Sequence, residues 1–378
     1  MKNVDNFDVL IVYSERTAES ASNRSYIGLT PFREDTAESC YNVSYSYFLK
    51  QCAKRNISAA FATSKDIIGP GKVRSYWIYE EKSWKKVHRA AHTKIIFDKF
   101  YPKTRSQKID YDILFSSRNV RPFNDPYMRS IFADKQKTYN LFTDLCIPTV
   151  ALVDDTDESI TDAVASINRL TDVLPNRNDF LDDFVLKDQF GSGGNHIYRI
   201  RQRNTKQISQ IMKKNKNIRF VLQPFANFEE GFEYNGAKNY TDTRLIYYGK
   251  KIVQIYIRIA AGDEFRCNAH QGASVAYLRQ NELPSSILKI SKKITEGLGK
   301  MNSFYALDFI VCNSKNVYLL EGNINPGIYW EAGQVADEKM TKKLIDRMVI
   351  ELTLRSGNDV GQSEENVVDQ NLLPLQVL

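Results

Sequence analysis

The sequence predicts an α/β protein with α+β character, divided into two or three lobes. Three observations carry this. The chain opens in strand–loop–helix–strand order, with apolar strands at 8–13 and 59–63 around a helix at 45–54. Further on, helical periodicity alternates with short β-rich runs, one pair of which brackets Gly191-Ser192-Gly193-Gly194. Residues 305–327 read YALDFIVCNSKNVYLLEGNINPG, two apolar runs joined by a polar Asn-Ser-Lys-Asn turn, which is a β-hairpin pattern.

Composition narrows the class. A chain of 378 residues can bury a large core, and 42% apolar with 26% charged residues is ordinary for a soluble globular protein. Lys and Arg number 52 against 45 acids, a net charge of +7. The lysines are scattered, the densest run being Lys213-Lys214-Asn215-Lys216. That favours a phosphate-bearing ligand or a solvated surface over a nucleic-acid groove. The five cysteines are widely spaced with no CxxC, so free thiols in a reducing, cytoplasmic compartment are expected. The opening MKNVDNFDVLIVYS has acids before a short apolar strand, unlike a signal peptide. No stretch approaches the roughly 18 apolar residues of a membrane span. Neither a nucleic-acid nor a membrane partner is expected.

Taken in order, a polar loop to about residue 36 separates the first strand from its helix. Residues 73–97, with two tryptophans and alternating character, read as antiparallel strands. A strand at 111–115 closes the lobe, and 118–127, with two prolines, reads as a linker. A helix at 134–145 stops at Cys146-Ile147-Pro148. A helix at 158–170 follows, with Ile160, Ala163, Val164, Ile167 and Leu170 at helical spacing. Next come strands at 184–186 and 197–200, a helix at 206–213 and a strand at 220–222. After Gln223-Pro224-Phe225, strands at 243–248 and 251–259 turn at Gly249-Lys250. Helices at 286–298 and 338–354 flank the closing hairpin. The expected domains are an N-terminal α/β lobe (1–125), a central lobe (126–225), a C-terminal lobe (226–356) and a polar tail (357–378).

The hairpin carries the chemistry. With its turn centred between Ser314 and Lys315, Asp308 sits opposite Glu321, and Asn323 shares the face of Glu321. Facing acids in an apolar frame repel unless a cation lies between them, and few, hard oxygen ligands suit Mg²⁺. An edge hairpin with its acids in solvent is the bland alternative. Lys187, at a strand end before Gly191–Gly194, suits an anion cradled by backbone N–H groups; a plain hairpin turn is the alternative. Lys135, in the first turn of a helix, is electrostatically misplaced unless it faces an anionic ligand. In FRCNAHQGA, an extended chain puts Arg266, Asn268 and His270 on one side, where arginine suits a carboxylate or phosphate. A polar loop with a satisfied histidine is the better reading of His270 alone. His88 and His92 lie four apart without a third ligand and read as surface residues.

In this order the motifs resemble the ATP-grasp superfamily, its carboxylate–amine ligases above all, such as glutathione synthetase and the glutamate ligases of ribosomal-protein tails. The resemblance spans roughly 134–330. It rests on Asp134-Lys135 to Ile147-Pro148, Lys187 with its glycine lid, the hinge Gln223-Pro224-Phe225, Asp242-x-Arg244, Phe265 to Gly272, and Asp308…Glu321-x-Asn323-x-x-Pro326-Gly327. Three departures stand out: Asp188 follows Lys187 where the family has proline, the acid past the hinge is either Glu229 or Glu230, and 232–240 looks like an insertion.

The resemblance implies an ATP-grasp fold behind an N-terminal α/β pre-ATP-grasp domain, with nucleotide between two antiparallel-sheet lobes. It implies an ATP- and Mg²⁺-dependent ligase that forms an amide or peptide bond through an acyl phosphate. Lys135, Lys187, Gly191, Ser192, Gly193, Gly194, Gln223, Pro224, Phe225, Glu230 and Asn268 would bind the nucleotide. Asp308, Glu321 and Asn323 would hold the metal, and Arg258 and Arg266 would be catalytic. Arg244, His270, Asn325 and Gly327 would meet substrate. The implied partners are small amino acids or peptides, including a peptide terminus, with a homodimer left open. An ATP-grasp kinase acting on a hydroxyl, or a non-catalytic nucleotide-binding regulator, is the alternative.

Overall fold

A computed structural model describes residues 4–102, 104–268, 272–299 and 301–357. The chain forms two compact units, Met1–Asp125 with Gly327–Leu378, and Pro126–Pro326. Among the described residues no helix is long and apolar enough to cross a membrane.

The first unit is built on a six-stranded sheet in the order Arg121–Pro122, Ile95–Lys99, Val9–Tyr13, Ala59–Thr63, Tyr76–Glu80, Ser83–Val87. Val9–Tyr13 is almost wholly apolar and is buried, as a central strand with parallel neighbours on both sides must be. Ile95–Lys99 is one of those parallel neighbours, whereas Tyr76–Glu80 and Ser83–Val87 form the expected antiparallel hairpin. Helices Cys40–Lys54 and Val335–Ser356 pack together in this unit, joined by the Tyr47 hydroxyl, which donates to Asp346 at 2.9 Å.

Two local expectations fail here. The strand expected at 111–115 is the end of a helix, Arg105–Leu114. Thr104 caps it by accepting from the Gln107 N–H, and Thr104-x-x-Gln107 is the start signal that an aromatic, β-branched run concealed. Within the expected linker, Pro126 opens a further helix, Pro126–Phe132, at the position where a missing N–H costs nothing.

The second unit holds two larger antiparallel sheets. Four strands run in the order Val150–Ala151, Phe220–Ala226, Phe180–Asp188, Ile197–Ile200. Helices Asp157–Asp172 and Thr205–Lys214 cover one face through Ile160, Ile167, Ile208 and Met212. Five strands form the other sheet: Ser274–Tyr277, Lys251–Ile259, Thr241–Tyr248, Phe304–Val311, Val317–Asn323. Its outer face is closed by helix Ser285–Gly297 through Ile287 and Ile294. Between the sheets lies a third apolar cluster that includes Ile147, Val185, Phe225, Cys267 and Ile310. A cleft opens beside it, sharing Ile147, Val185, Phe225 and Ile310 with this cluster.

Both hairpins of the five-stranded sheet carry a bulge, and the bulges decide what faces what. Val311 pairs with Val317 and Phe309 with Leu319, but Asp308 pairs with Glu321, leaving Leu320 as the extra residue. The turn therefore does not centre between Ser314 and Lys315. It closes as a short loop, with Lys315 in the left-handed region at φ 74° and the Cys312 N–H donating to the Asn316 carbonyl. Without Leu320 as a bulge, Asp308 would face an apolar side chain. The other hairpin repeats the device: Tyr247 pairs with Ile252, Ile246 with Gln254, and Val253 is extra. Without it, Asp242 and Arg244 would face isoleucines.

Candidate nucleotide and metal site

The two bulges align charged side chains into rows across the sheet face. One row runs Tyr277, Tyr256, Arg244, Asp308, Glu321 over all five strands. The next runs Val275, Arg258, Asp242, Ile310, Tyr318. Side chains two apart on a strand share a face, so the rows lie side by side. Arg244 grips Asp308 with both arms of its fork, Nε donating to Oδ1 at 2.6 Å and Nη2 to Oδ2. Arg258 does the same to Asp242, at 2.7 Å through each arm, and also donates to Asp308 Oδ2 at 2.9 Å. Two acids and two arginines thus form a neutral quartet, buried except for the half-buried Arg244.

Burial works to raise the pKa of Asp308, but Arg244 and Arg258 outweigh it and hold the carboxyl well below the usual range. Asp242 moves upward, because burial and the neighbouring Asp308 together exceed the pull of Arg258. Glu321 stands at the open end of the row, its Oε1 accepting from Asn323 Nδ2 at 3.1 Å and lying 3.8 Å from Arg244.

Across the cleft are the lysines. Asp134 caps helix Lys135–Leu141, accepting from the N–H groups of Gln136 and Lys137, and also accepts from Gln189 Nε2 at 2.8 Å. The Lys135 N–H donates to the Gln189 carbonyl, and Lys135 Nζ donates to the Gly191 carbonyl at 2.6 Å. The base of the glycine loop is thereby tied to the helix start. Lys187 is buried, and desolvation lowers its pKa to about 8, with Glu321 pulling upward and Lys135 pushing further down. Burial also lowers Lys135.

The cleft, open to solvent, spans about 680 Å³ of empty space. Of the expected residues, Lys187, Gly194, Gln223, Pro224 and Phe225 line it from the four-stranded side. Arg258, Arg266, Asn268 and Glu321 line it from the other. Gly193 and Gly194 have φ of 72° and 78°, and a methyl group on Gly194 would lie 2.6 Å from Asn268 Oδ1, so the loop touches the opposite wall. Ser192 lies in the loop between these glycines and Gly191. Arg266 leans on Glu264, donating to Oε2 at 2.7 Å.

The other expected residues are placed differently. Glu230 does not line the cleft: its N–H donates to Asn313 Oδ1 at 2.8 Å and its carboxylate lies 3.9 Å from Lys238. Asp308 lies beneath Arg244 and Arg258 rather than open to the cleft. Asn325 and Gly327 follow the last strand and are not among the described lining residues, and His270 lies outside the described residues. Sequence reasoning gave Asp242 no role. Its signal was present, since a tight turn at Gly249-Lys250 sets Asp242 near Arg258, but the bulge hides the pairing.

Residues 153–348 match the RimK-like ATP-grasp domain. The chain belongs to that family. With membership, the expected superfamily holds: the chain carries an ATP-grasp domain. No curated protein matches. Among solved structures, D-alanyl-alanine synthetase A from Vibrio cholerae is 12% identical, with 98% of this chain and 99% of that one covered at a TM-score of 0.55. A RimK domain ATP-grasp protein from Sphaerobacter thermophilus is 13% identical, covering 91% and 98% at 0.53. ATP-grasp ligase PsnB complexed with minimal precursor, Mg and ADP is 10% identical, covering 93% and 99% at 0.51. At these identities the likeness is one of fold.

Proposed function

We propose that the chain is an ATP- and Mg²⁺-dependent carboxylate–amine ligase that joins an amino acid or peptide through an amide bond. The observation that carries this is Glu321, at the end of the Arg244–Asp308 row, facing Lys187 across one cleft that Arg258, Arg266 and Asn268 also line. A carboxylate oxygen of the first substrate attacks the γ-phosphorus of ATP, and ADP leaves. The amine of the second substrate then attacks the acyl carbon, loses a proton, and phosphate departs. Such chemistry asks the protein for positioning and charge neutralisation.

The chain's own residues fit those tasks. Lys135 and Lys187 hold phosphates, and the Gly191–Gly194 loop excludes water by meeting Asn268. The hinge 223–225 and the apolar wall of Val185, Ile310 and Leu320 suit a base. Arg258 and Arg266 offset charge on the transferred phosphoryl and the acyl phosphate. Asp308 and Glu321 offer carboxylate oxygens and Asn323 an amide oxygen, hard donors that would hold Mg²⁺, which when bound neutralises phosphate charge. Glu321 would meet that need once its Oε1 is released by Asn323 Nδ2, Asn323 by turning its amide oxygen inward, and Asp308 once Arg244 yields. PsnB, solved with a precursor peptide, supports a peptide as one substrate class. All five cysteines are unpaired, in keeping with a reducing, cytoplasmic setting.

The test is a phosphate-release screen over amino acids and short peptides, with mass spectrometry of the hits. ADP together with a new amide supports the reading. ADP with a phosphorylated product would make the protein a kinase, and no ADP with any substrate would make it a regulator.

A further inference from the structure

Two roles implied by sequence collide in the structure. Arg244 was expected at substrate and Asp308 at metal, yet each is the other's main partner. We propose that Arg244 is an exchangeable counter-ion: it neutralises Asp308 while the site lacks a divalent cation, and yields it when one arrives. The freed guanidinium then serves as the clamp for the substrate carboxylate. This rests on the ligase reading above.

The geometry supports both ends of the exchange. Asp308 is fully buried, and a buried carboxylate must keep a counter-charge at every stage. Arg258 alone cannot supply it, because its fork is committed to Asp242 and spares Asp308 only one 2.9 Å bond. A hard divalent cation would satisfy the same oxygens, so it and Arg244 compete for one carboxylate. Arg244 also has somewhere to go. Its other row neighbour is Tyr256, whose hydroxyl already accepts from Nη1 at 3.4 Å and whose ring centroid lies 5.9 Å from the guanidinium carbon. Diagonally beyond is Gln254, 6% exposed, whose Oε1 has no hydrogen-bond partner. Diagonal neighbours in a sheet lie within reach of a long side chain. A guanidinium turned towards Tyr256 and Gln254 leaves donors in its fork for a carboxylate, the group it fits best.

The alternative is a permanent Arg244–Asp308 pair, with any metal held by Glu321 and Asn323. The two separate in nucleotide-free protein, using Mn²⁺ as the probe. Mn²⁺ binding is read by electron paramagnetic resonance, and melting temperature is followed against Mn²⁺ concentration. Arg244→Met removes the competitor without adding a charge. Exchange predicts that this variant binds Mn²⁺ at least about tenfold more tightly than wild type. It also predicts a melting temperature that falls without metal and recovers with it, and Asp308→Asn in the Arg244→Met background should erase both gains. Should Arg244→Met fail to fold, Arg244→Lys keeps the charge but loses the fork, and a smaller gain in Mn²⁺ affinity is expected. Unchanged Mn²⁺ affinity in the folded variant, when the wild-type protein makes amide and ADP, would overturn the exchange and leave the ligase reading standing. No Mn²⁺ binding by any variant, even with nucleotide, would remove the metal reading itself.

Discussion

Among the described residues two carboxylates, Asp66 and Asp308, are 0% exposed, and they are held in opposite ways. In the first unit, Asp66 is surrounded by neutral donors. Its Oδ1 accepts from the hydroxyls of Ser20 and Ser75 at 2.6 Å each, and its Oδ2 from the Thr63 hydroxyl and N–H at 2.7 and 3.1 Å. Two of these contacts, from Ser20 and Ser75, tie other segments to the short turn that Thr63 opens, so the acid works as a structural knot. In the second unit, Asp308 is held by two guanidinium groups and by no hydroxyl among the hydrogen bonds of the described residues. Hydroxyls that converge on one buried anion cannot be traded for a metal ion, because none of them carries charge. An arginine can be traded, because the incoming cation restores the balance it removes. The kind of donor, rather than the depth of burial, separates a structural acid from a working one.

Replacing each acid by its amide breaks the comparison most sharply. Asp308→Asn leaves Arg258 with Asp242 and Arg244 with only the 3.8 Å contact to Glu321, so about 3–5 kcal/mol of stability should go with it. Turnover, read as ADP release per folded molecule, should fall about a thousandfold or more. Asp66→Asn should cost only about 1–2 kcal/mol, since rotating hydroxyls can donate to the amide oxygen or accept from its NH₂. ADP release per folded molecule should stay at the wild-type level. Equal losses of turnover at the two positions would end the distinction drawn here, and denaturant melts with a turnover assay suffice to see it.

The exchangeable side also needs the loop to reach it. Gly194→Ala adds a methyl group to a residue at φ 78° and sets it against Asn268 Oδ1. About 1–3 kcal/mol of nucleotide affinity should be lost, measurable by calorimetry, with little change in melting temperature without ligand.

Why the sequence showed some of this and hid the rest has a physical basis. The strands Ala59–Thr63, Ile197–Ile200 and Lys251–Ile259 were legible to the residue because local apolar pattern and turn chemistry agree there. Asp308 opposite Glu321 was legible too, but for a partly wrong reason: the turn closes elsewhere, and Leu320 restores the pairing. Bulges have no reliable one-chain signature, so Val253 and Leu320 could not be foreseen, nor could the pairing of Asp242 with Arg258. Arg244 was assigned to substrate from its motif alone. Only the register shows that its neighbour across the sheet is the acid expected to hold metal. Helix Arg105–Leu114 was missed because Tyr111, Ile113 and Phe115 outweighed the Thr104 cap.

Among buried cations, Lys187 lacks the paired fork that fixes Arg258. Burial lowers its pKa to about 8, with Glu321 opposing. The sign follows from linkage. In the unfolded chain the lysine titrates at its ordinary, higher pKa, so between about 8 and about 10.4 the unfolded state binds more protons. Folding stability should therefore gain from this group as pH rises through that window, and the full cost of burying its charge is felt below about 8. Nucleotide affinity should move the other way. A phosphate beside Lys187 favours the charged form, so above about pH 8 binding must take up a proton, and affinity should fall by up to about tenfold per pH unit. Lys187→Arg keeps the charge throughout and should flatten that dependence, while Lys187→Met should weaken binding at neutral pH and also flatten it. Nucleotide titrations of the three proteins from about pH 7 to about pH 9.5 decide this, and a wild-type profile as flat as that of Lys187→Arg would place the phosphate contact elsewhere.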